Sequence, residues 1–299
     1  MASESDGPAP RHQPVLLTEA MELLDVRPGG LYVDGTVGLG GHAAEVLRRS
    51  APDGRLVAFD RDPEALSRSR ARLAEFGDRV RFEHADFREI PPRVAGAAPR
   101  GILLDLGVSS MQLDEPSRGF SFSSEGPLDM RMDQTEGFTA ADLVNRLPER
   151  ELANVIYRWG EEHASRRIAG AIVDARRRRP LTTTTELAEV VRRSAGRSRR
   201  PGLDPATKTF QAIRIHVNGE LDGLAAALES LAGVLAPGGR LAVIAFHSLE
   251  DREVKHTLRA LATRGFRLLT KKPMGPSDDE VRRNPRSRSA KLRAIERAR

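Results

Sequence analysis

Short apolar runs alternate with amphipathic segments through the first third of the chain, and three of these runs end on a carboxylate, at Asp34, Asp60 and Asp105. Segments with the helical spacing of apolar positions begin near His42 and Pro63. Near-continuous apolar strands separated by helices are typical of a parallel sheet that is covered on both faces. The pattern therefore predicts an α/β protein with a Rossmann-like doubly wound sheet.

The alternation stops after Asp105, and the next strand of the same character is 240–246. More than 100 residues separate Asp105 from the helix at 221–235 that leads into this strand, whereas such connections usually take about 2–6 residues. The intervening sequence has helical periodicity, which predicts an inserted helical domain. The helices expected there are 149–157, 161–179 and 185–193.

After the strand at 240–246, the pattern predicts a helix at 249–261 and two β segments near 266–270 and 291–296. We therefore expect a discontinuous domain and an insert, preceded by a short polar tail. The predicted limits are 1–12 for a disordered tail, 13–113 and 207–299 for the α/β domain, and 114–206 for the helical substrate-recognition insert.

A glycine-rich turn follows the first apolar strand, with four glycines between Asp34 and His42. Glycine allows positive φ angles and lets the backbone approach a ligand without a Cβ in the way. Asp60 lies 19 residues past Gly41, close to the offset of roughly 20 residues at which an acidic side chain meets ribose hydroxyls in Rossmann folds. The turn therefore predicts a site for a nucleoside-containing cofactor.

The carboxylate of Asp34, directly before the glycines, distinguishes between two classes of cofactor. A pyrophosphate is anionic and binds through backbone N–H groups at the start of a helix, so this carboxylate would repel it. S-adenosylmethionine has no phosphate and carries an ammonium and a sulfonium, which carboxylates attract. Methyl transfer is therefore favoured over hydride transfer, and an NAD(P)-dependent oxidoreductase is the alternative.

Charge and composition narrow the class of partner. Lys plus Arg exceeds Asp plus Glu by 48 − 42 = 6, and the pI is about 10.2, which favours a polyanionic partner. Basic residues concentrate at 176–200 and 281–299, either as solvated surfaces or as contacts to a phosphate backbone. The sequence contains no run of 18 apolar residues of the kind that predicts a membrane span. We expect a cytoplasmic protein.

The chain has no cysteine, so it has neither a disulfide framework nor a cysteine-based metal site. Methylation at carbon 5 of a pyrimidine normally uses a cysteine thiolate that adds to the ring. That reaction is excluded, and a nitrogen or oxygen acceptor remains.

Several motifs in order along the chain resemble the ribosomal RNA small subunit methyltransferase H (RsmH, or MraW) family. The resemblance runs from about His12 to the C-terminus. The matching segments are 34–42, 59–63, 103–114, 118–122, 126–133, 209–214, 246–252 and 284–288.

This resemblance implies a class I S-adenosylmethionine-dependent methyltransferase fold with an inserted helical substrate domain. It also implies N4-methylation of a cytidine in the P-site region of bacterial 16S rRNA, within the small ribosomal subunit, without a metal or a membrane. A non-catalytic rRNA-binding assembly factor with a retained cofactor pocket is a further alternative.

The resemblance assigns the cofactor to residues of the glycine turn and of the strand ends. These residues are Gly40, Gly41, His42, Asp60, Phe87, Asp105 and Gln112. Asp34 joins them on the charge argument given above.

Candidate groups for the substrate are distributed along the chain. The candidates for the residue that accepts the N4 proton are Asp105, Ser109 and Ser110. The sequence does not choose among them, because the usual Pro-Pro-aromatic motif is absent after the strand that ends at Asp105. His247 and Ser248 follow the strand at 240–246, and either could face the substrate, although Ser248 also suits a helix N-cap. The basic candidates for RNA are Arg176, Arg177, Arg178 and Arg179.

Overall fold

The computed structural model describes residues 14–196 and 204–299. The tail predicted at 1–12 lies outside these residues, as do Arg197, Arg199 and Arg200 of the basic segment. Across the two described ranges, no helix is both long and apolar enough to cross a membrane.

The chain folds into two compact units. The first contains the chain up to Asp60 together with Glu64–Leu106 and Ala225–Arg299, and the second contains Arg61–Pro63 and Gly107–Leu224. The second unit is therefore wider than the insert predicted at 114–206.

Strands of the first unit pair into one sheet, which has seven strands in the described part of the chain. The strands are β1 Leu31–Asp34, β2 Arg55–Asp60, β3 Val80–His84, β4 Gly101–Asp105, β5 Arg240–Ala245, β6 Phe266–Leu268 and β7 Lys291–Arg297. Their order is β3-β2-β1-β4-β5-β7-β6. The first five are parallel, and β7 is antiparallel to both β5 and β6. This is the class I methyltransferase type of Rossmann-like sheet, and the prediction of fold class is confirmed.

Thirteen α-helices occur in the described residues. They are α1 Leu17–Leu24, α2 Gly41–Arg49, α3 Pro63–Arg72, α4 Ile90–Arg93, α5 Ser110–Asp114, α6 Ala140–Arg146, α7 Glu149–Gly160, α8 Ser165–Arg178, α9 Thr184–Ala195, α10 Thr207–Asn218, α11 Leu224–Val234, α12 Ser248–Leu261 and α13 Asp278–Arg283. Short 3-10 turns follow α3, β3, α5 and α13.

The sheet of the first unit is buried by helices, as its apolar strands require. Leu56, Leu103, Ile244 and Leu292 come from four different strands and pack in one core with Leu47 of α2. All five side chains are almost completely inaccessible to solvent. Burying each aliphatic side chain of this size contributes about 1.5–3 kcal/mol, so this core fixes the strand order and the position of the strand ends.

The second unit has its own core, formed by the apolar faces of α6 to α10. Helix α7 packs against α8 and α10, and α8 packs against α9. Phe210 and Ile213 of α10 are buried in this core. The predicted limit at 206 is therefore wrong, because α10 contributes its apolar face to the helical unit and not to the sheet.

Two helix limits also differ from the sequence pattern. The helix predicted at 161–179 begins at Ser165, because Glu161 adopts a left-handed φ of 49° that ends α7. The helix predicted at 221–235 begins at Leu224, directly after Gly223 with a φ of 67°. Positive φ interrupts a right-handed helix, and this is not visible in apolar spacing.

Candidate functional site

The glycine turn between β1 and α2 packs too closely against the sheet for larger residues. A Cβ atom on Gly35 would lie 2.4 Å from Cδ2 of Leu104, so a larger residue would force this side chain to move. Gly40 has a φ of 75° and precedes the first residue of α2. Glycine tolerates this left-handed conformation at no steric cost. The local sequence therefore determines both the sharp turn and the point at which α2 begins.

Hydrogen bonds hold this turn against the ends of the neighbouring strands. The N–H of Gly35 donates to the carbonyl of Leu103 at 2.9 Å, and the N–H of Val37 donates to Phe59 at 2.8 Å. The carboxylate of Asp60 accepts a hydrogen bond from the N–H of Gly38 at 2.8 Å. Asp60 therefore helps to position the turn as well as being the predicted ribose ligand.

Asp34, Asp60 and Asp105 are the last residues of β1, β2 and β4. Strand β1 lies between the other two and runs parallel to both, so the three carboxylates meet at the carboxyl edge of the sheet. This edge is where open α/β sheets bind their ligands. The sheet thus brings together the three acidic residues that the sequence singled out.

Burial and nearby negative charges disfavour the charged forms of Asp34 and Asp105. Burial raises the pKa of Asp34 to about 7, the N–H of Thr36 works against this rise, and the charge of Asp60 adds to it. The pKa of Asp105 is raised well above its usual range by burial, and further by the charges of Asp34 and Glu250. A positively charged ligand would relieve this repulsion, whereas an anion would increase it.

Asp105 is the least satisfied of the three carboxylates. Its Oδ1 atom is buried and has no hydrogen-bond partner among the described residues. Its Oδ2 atom lies 3.7 Å from Nδ1 of His42. Its backbone N–H donates to the hydroxyl of Thr36 at 2.6 Å, which fixes the end of β4 against the turn. A buried acceptor without a donor is costly, and a ligand that donates to Asp105 would offset this cost.

His42 is also placed at the turn, although it is buried. Its Nε2 atom lies 2.9 Å from the carbonyl of Val15. A carbonyl only accepts, so Nε2 carries the proton in the neutral ring and Nδ1, which faces Asp105, does not. The predicted contact of His42 with the cofactor stays a prediction.

Phe87 lies beside the glycine turn, because its Cβ is 3.4 Å from where a Cβ of Gly35 would stand. It begins a 3-10 turn that is capped by Asp86, whose side chain accepts from the N–H of Arg88. Asp86 also forms an ion pair with Arg88 at 2.6 Å. The acidic residue before Phe87 is therefore used in capping the turn.

The segment after β5 corrects the expectation for Ser248. The N-cap of α12 is His247, whose ring accepts from the N–H of Glu250 at 3.3 Å, and Ser248 is the first helical residue. Glu250 in turn accepts from the N–H of Phe246 at 2.8 Å and is 2% exposed. A histidine can replace serine here because its unprotonated ring nitrogen is also an acceptor.

Gln112, Ser109 and Ser110 all belong to the second unit. The side chains of Ser109 and Gln112 form a reciprocal capping box at the start of α5. The amide of Gln112 also donates to Asp62 at 2.8 Å. The hydroxyl of Ser109 is thus already an acceptor for a backbone N–H, and Ser110 is the first residue of α5.

The four consecutive arginines of α8 and its C-terminus do not act as one surface. Arg176 donates to the carbonyls of Val144 and Leu147 at 2.6 and 2.7 Å, where α6 ends. The other three are exposed: Arg177 pairs with Asp174, and Arg179 pairs with Glu186, whereas Arg178 has no ion pair among the described residues. Arg176 satisfies carbonyls at the end of α6, which needs donors, and the predicted contacts of the four arginines with RNA stay a prediction.

Two residues of the first unit were missed by the sequence interpretation. Thr36 joins Asp34 to Asp105, since its N–H donates to the former and its hydroxyl accepts from the latter. Glu250 is buried and its charge acts on Asp105. The Asp-Gly-Thr sequence after β1 and the acidic first turn of α12 are the only local signals for them.

Comparisons with known proteins agree with this geometry. The chain matches the MraW methylase family over residues 9–298. It is 52% identical to a protein of Sorangium cellulosum over 97% of this chain and 93% of the relative. It is 51% identical to one of Symbiobacterium thermophilum (95% and 96%) and 54% identical to one of Gloeobacter violaceus (96% and 88%). All three relatives are named ribosomal RNA small subunit methyltransferase H.

Proposed function

The chain belongs to the MraW methylase family, and from this premise we propose that it methylates N4 of a cytidine in the P-site region of 16S rRNA. The chain is a methyltransferase of small-subunit ribosomal RNA, and its cofactor is S-adenosyl-L-methionine. The family is one of methylases, so hydride transfer has no support. The acidic edge around Asp105 is the observation that carries the proposal.

The residues at this edge fit the cofactor in charge and in kind. The carboxylate of Asp34 is buried and that of Asp105 is partly buried, and both have raised pKa values. A ligand with an ammonium and a sulfonium would stabilise their ionised forms. Asp60 ends β2 at the offset expected for ribose. Phe87 stands beside the turn and is the proposed neighbour of adenine, although Arg88 lies over its ring at 5.5 Å. When bound, the cofactor supplies an electrophilic methyl group.

The protein contributes positioning and a hydrogen-bond acceptor to this reaction. The lone pair of cytosine N4 is delocalised into the ring, so an acceptor on the amino group would localise it and take up a proton. Asp105, Ser109 and Ser110 remain the candidates. Ser109 is the weakest of them, because its hydroxyl caps α5. Most of the acceleration would come from in-line placement of the two substrates.

Mass spectrometry of 16S rRNA tests the proposal directly. RNA from cells without this protein should lack the methyl group on N4 of one P-site cytidine, and re-expression of the wild-type chain should restore it. Purified small subunits from the deficient cells should also accept a methyl group in vitro. Loss of a methyl group at another position or atom would contradict the N4 assignment, and no loss at all would favour the non-catalytic assembly factor.

We expect cofactor affinity to rise between about pH 6 and pH 8. Burial raises the pKa of Asp34 to about 7 in the folded protein, so this side chain loses its proton in that window and then attracts the cationic cofactor. The stability of the cofactor-free protein should fall as the pH rises from about 4 to about 7 and should level off above that, because the unfolded chain releases this proton near its usual pKa of 3.8 while the folded chain keeps it until about 7.

Calorimetric titration with S-adenosylmethionine and thermal unfolding across this pH range measure the two trends. Asp34→Asn cannot ionise and should flatten both. An affinity that does not vary with pH in the wild-type protein would contradict the role of Asp34.

We expect the exposed arginines of the second unit to bind the RNA backbone. Replacing Arg177, Arg178 and Arg179 by glutamine should weaken RNA binding and leave cofactor affinity unchanged. Each lost phosphate contact should flatten the slope of log K against log salt concentration by about 0.7–0.9. Filter binding at several salt concentrations measures this slope.

A matched control removes the same charge elsewhere. Arg55, Arg70 and Arg259 are exposed residues of the first unit, and their replacement by glutamine should change the slope much less. Equal slopes for the two triple variants would identify the arginines of α8 as a solvated surface. Arg176→Gln should instead lower the stability of the second unit, because it removes donors from the end of α6.

A further inference from the structure

We propose that the first unit carries a second ligand site, for a phosphoanion, at the amino-terminal edge of its sheet. The site is a cavity of about 470 Å³, within the usual range of roughly 300–1,000 Å³ for small-molecule sites. Five arginine side chains line it, against two acidic ones. The proposal stands independently of the rRNA substrate.

The position of the cavity separates it from the cofactor site. Arg100 directly precedes β4 and Arg240 is the first residue of β5. The acidic cluster with Asp105 lies where the same parallel strands end. The two sites therefore lie at opposite ends of the parallel strands, and the arginines of the cavity cannot contact the cofactor.

The two carboxylates of the cavity hold several of its arginines in fixed positions. Glu296 accepts from Nε of Arg240 and from Arg267, both at 2.9 Å. Asp25 pairs with Arg27 at 2.6 Å. Burial alone would raise the pKa of Glu296, but the hydrogen bonds from Arg267 and Arg240 lower it below its usual range. The ionised carboxylate of Glu296 thus holds the guanidinium groups of Arg240 and Arg267 in place, and its single negative charge neutralises only part of their positive charge.

The surplus of charge indicates a multiply charged anion. Five guanidinium groups against two carboxylates leave three positive side-chain charges around the cavity. Arg100 and Arg299 are both exposed and have no ion pair with any described carboxylate. Arginine forks match phosphate oxygens with two parallel hydrogen bonds. A phosphate group, which carries up to two charges and three acceptor oxygens, matches this set better than a single carboxylate.

Calorimetry with inorganic tripolyphosphate tests the site. The wild-type chain should bind it with a dissociation constant below about 1 mM at low salt. Arg100→Gln with Arg299→Gln should weaken binding at least about tenfold, since hydrogen bonds to charged groups contribute about 1.5–3 kcal/mol each. The matched control is Arg259→Gln with Lys271→Gln, which removes two exposed charges outside the cavity. It should change binding less than about twofold, because distant surface charges are screened.

Two results would overturn the proposal: no binding of tripolyphosphate at millimolar concentration, or equal losses in the two double variants. Unchanged affinity for S-adenosylmethionine in both variants shows that the first unit is folded. A hexauridylate competitor then separates the two sources of phosphate. Displacement of tripolyphosphate by the oligonucleotide, with the same sensitivity to Arg100 and Arg299, identifies an RNA backbone. Binding of tripolyphosphate without displacement identifies a free phosphoanion.

Discussion

Replacing Asp105 by asparagine is expected to raise the dissociation constant for S-adenosylmethionine by roughly ten- to a hundredfold, the scale of one hydrogen bond to a charged group. Turnover at saturating cofactor should stay close to that of the wild type. Asp105 has a buried, unsatisfied oxygen at the acidic edge, and asparagine keeps the shape while removing the charge. Calorimetry for binding and single-turnover methylation of small subunits for the chemical step measure the two quantities separately.

The same variant should melt at a higher temperature than the wild type when no cofactor is present. Burial and the charges of Asp34 and Glu250 raise the pKa of Asp105, so its ionised form destabilises the cofactor-free fold. Removing such a group commonly increases stability at the expense of function. This readout does not depend on activity and distinguishes a strained ligand-binding carboxylate from a structural one.

The opposite split would assign Asp105 to the substrate amino group. In that case cofactor affinity would hold, and the single-turnover rate would fall about a hundredfold or more, the usual scale for a positioned acid–base group. Asp53→Asn, at an exposed position of the first unit, controls for the loss of one carboxylate. Wild-type affinity together with wild-type rate in Asp105→Asn would contradict both roles.

Arg118→Met is expected to lower the stability of the second unit by about 3–5 kcal/mol, the cost of leaving one member of a buried ion pair alone. Arg118 and Asp62 are 3% and 1% exposed, and their side chains lie 2.9 Å apart. Arg118 also donates to the carbonyl of Met132 at 2.7 Å. The sole tryptophan, Trp159, lies in this unit, so its fluorescence during urea unfolding reports on the affected part of the chain.

Two further variants control this measurement. Arg177→Met removes a pair with Asp174 in which both side chains are largely exposed, and should cost less than about 1 kcal/mol. Adding Asp62→Leu to Arg118→Met removes the carboxylate that has lost its cationic partner and should recover part of the loss; the recovery should be incomplete, because the amide of Gln112 then loses its acceptor. If Arg118→Met shifted the urea midpoint of unfolding no more than Arg177→Met does, the buried ion pair would contribute no more to stability than the exposed one.

The sequence by itself determined the elements that carry the cofactor edge. Apolar strands that end on Asp34, Asp60 and Asp105 are local signals, and so are the glycines of the intervening turn. Each depends on side-chain period and backbone freedom within a few residues. Because parallel strands end at one edge, the sheet then brings the three carboxylates together. The motifs along the chain likewise indicate the family by themselves.

Only the tertiary structure decided how individual side chains are used. Arg176 is one of four consecutive arginines, yet it satisfies carbonyls about 30 residues away at the end of α6. His247, and not the expected Ser248, caps α12. The role of Arg176 depends on packing, because its acceptors belong to another helix. The cap of α12 depends on the residue at which the helix begins, which the apolar spacing does not fix.

The extent of the helical unit and the pairing of Asp62 with Arg118 were likewise decided by packing. Residues 56 positions apart become partners there, and α10 joins the helical core through Phe210 and Ile213 although its apolar spacing suits either unit equally well. Periodicity shows that a helix has an apolar face, but not which surface will cover that face. Covering it is a property of the whole fold, because the free energy of burial depends on the partner surface as well as on the residue.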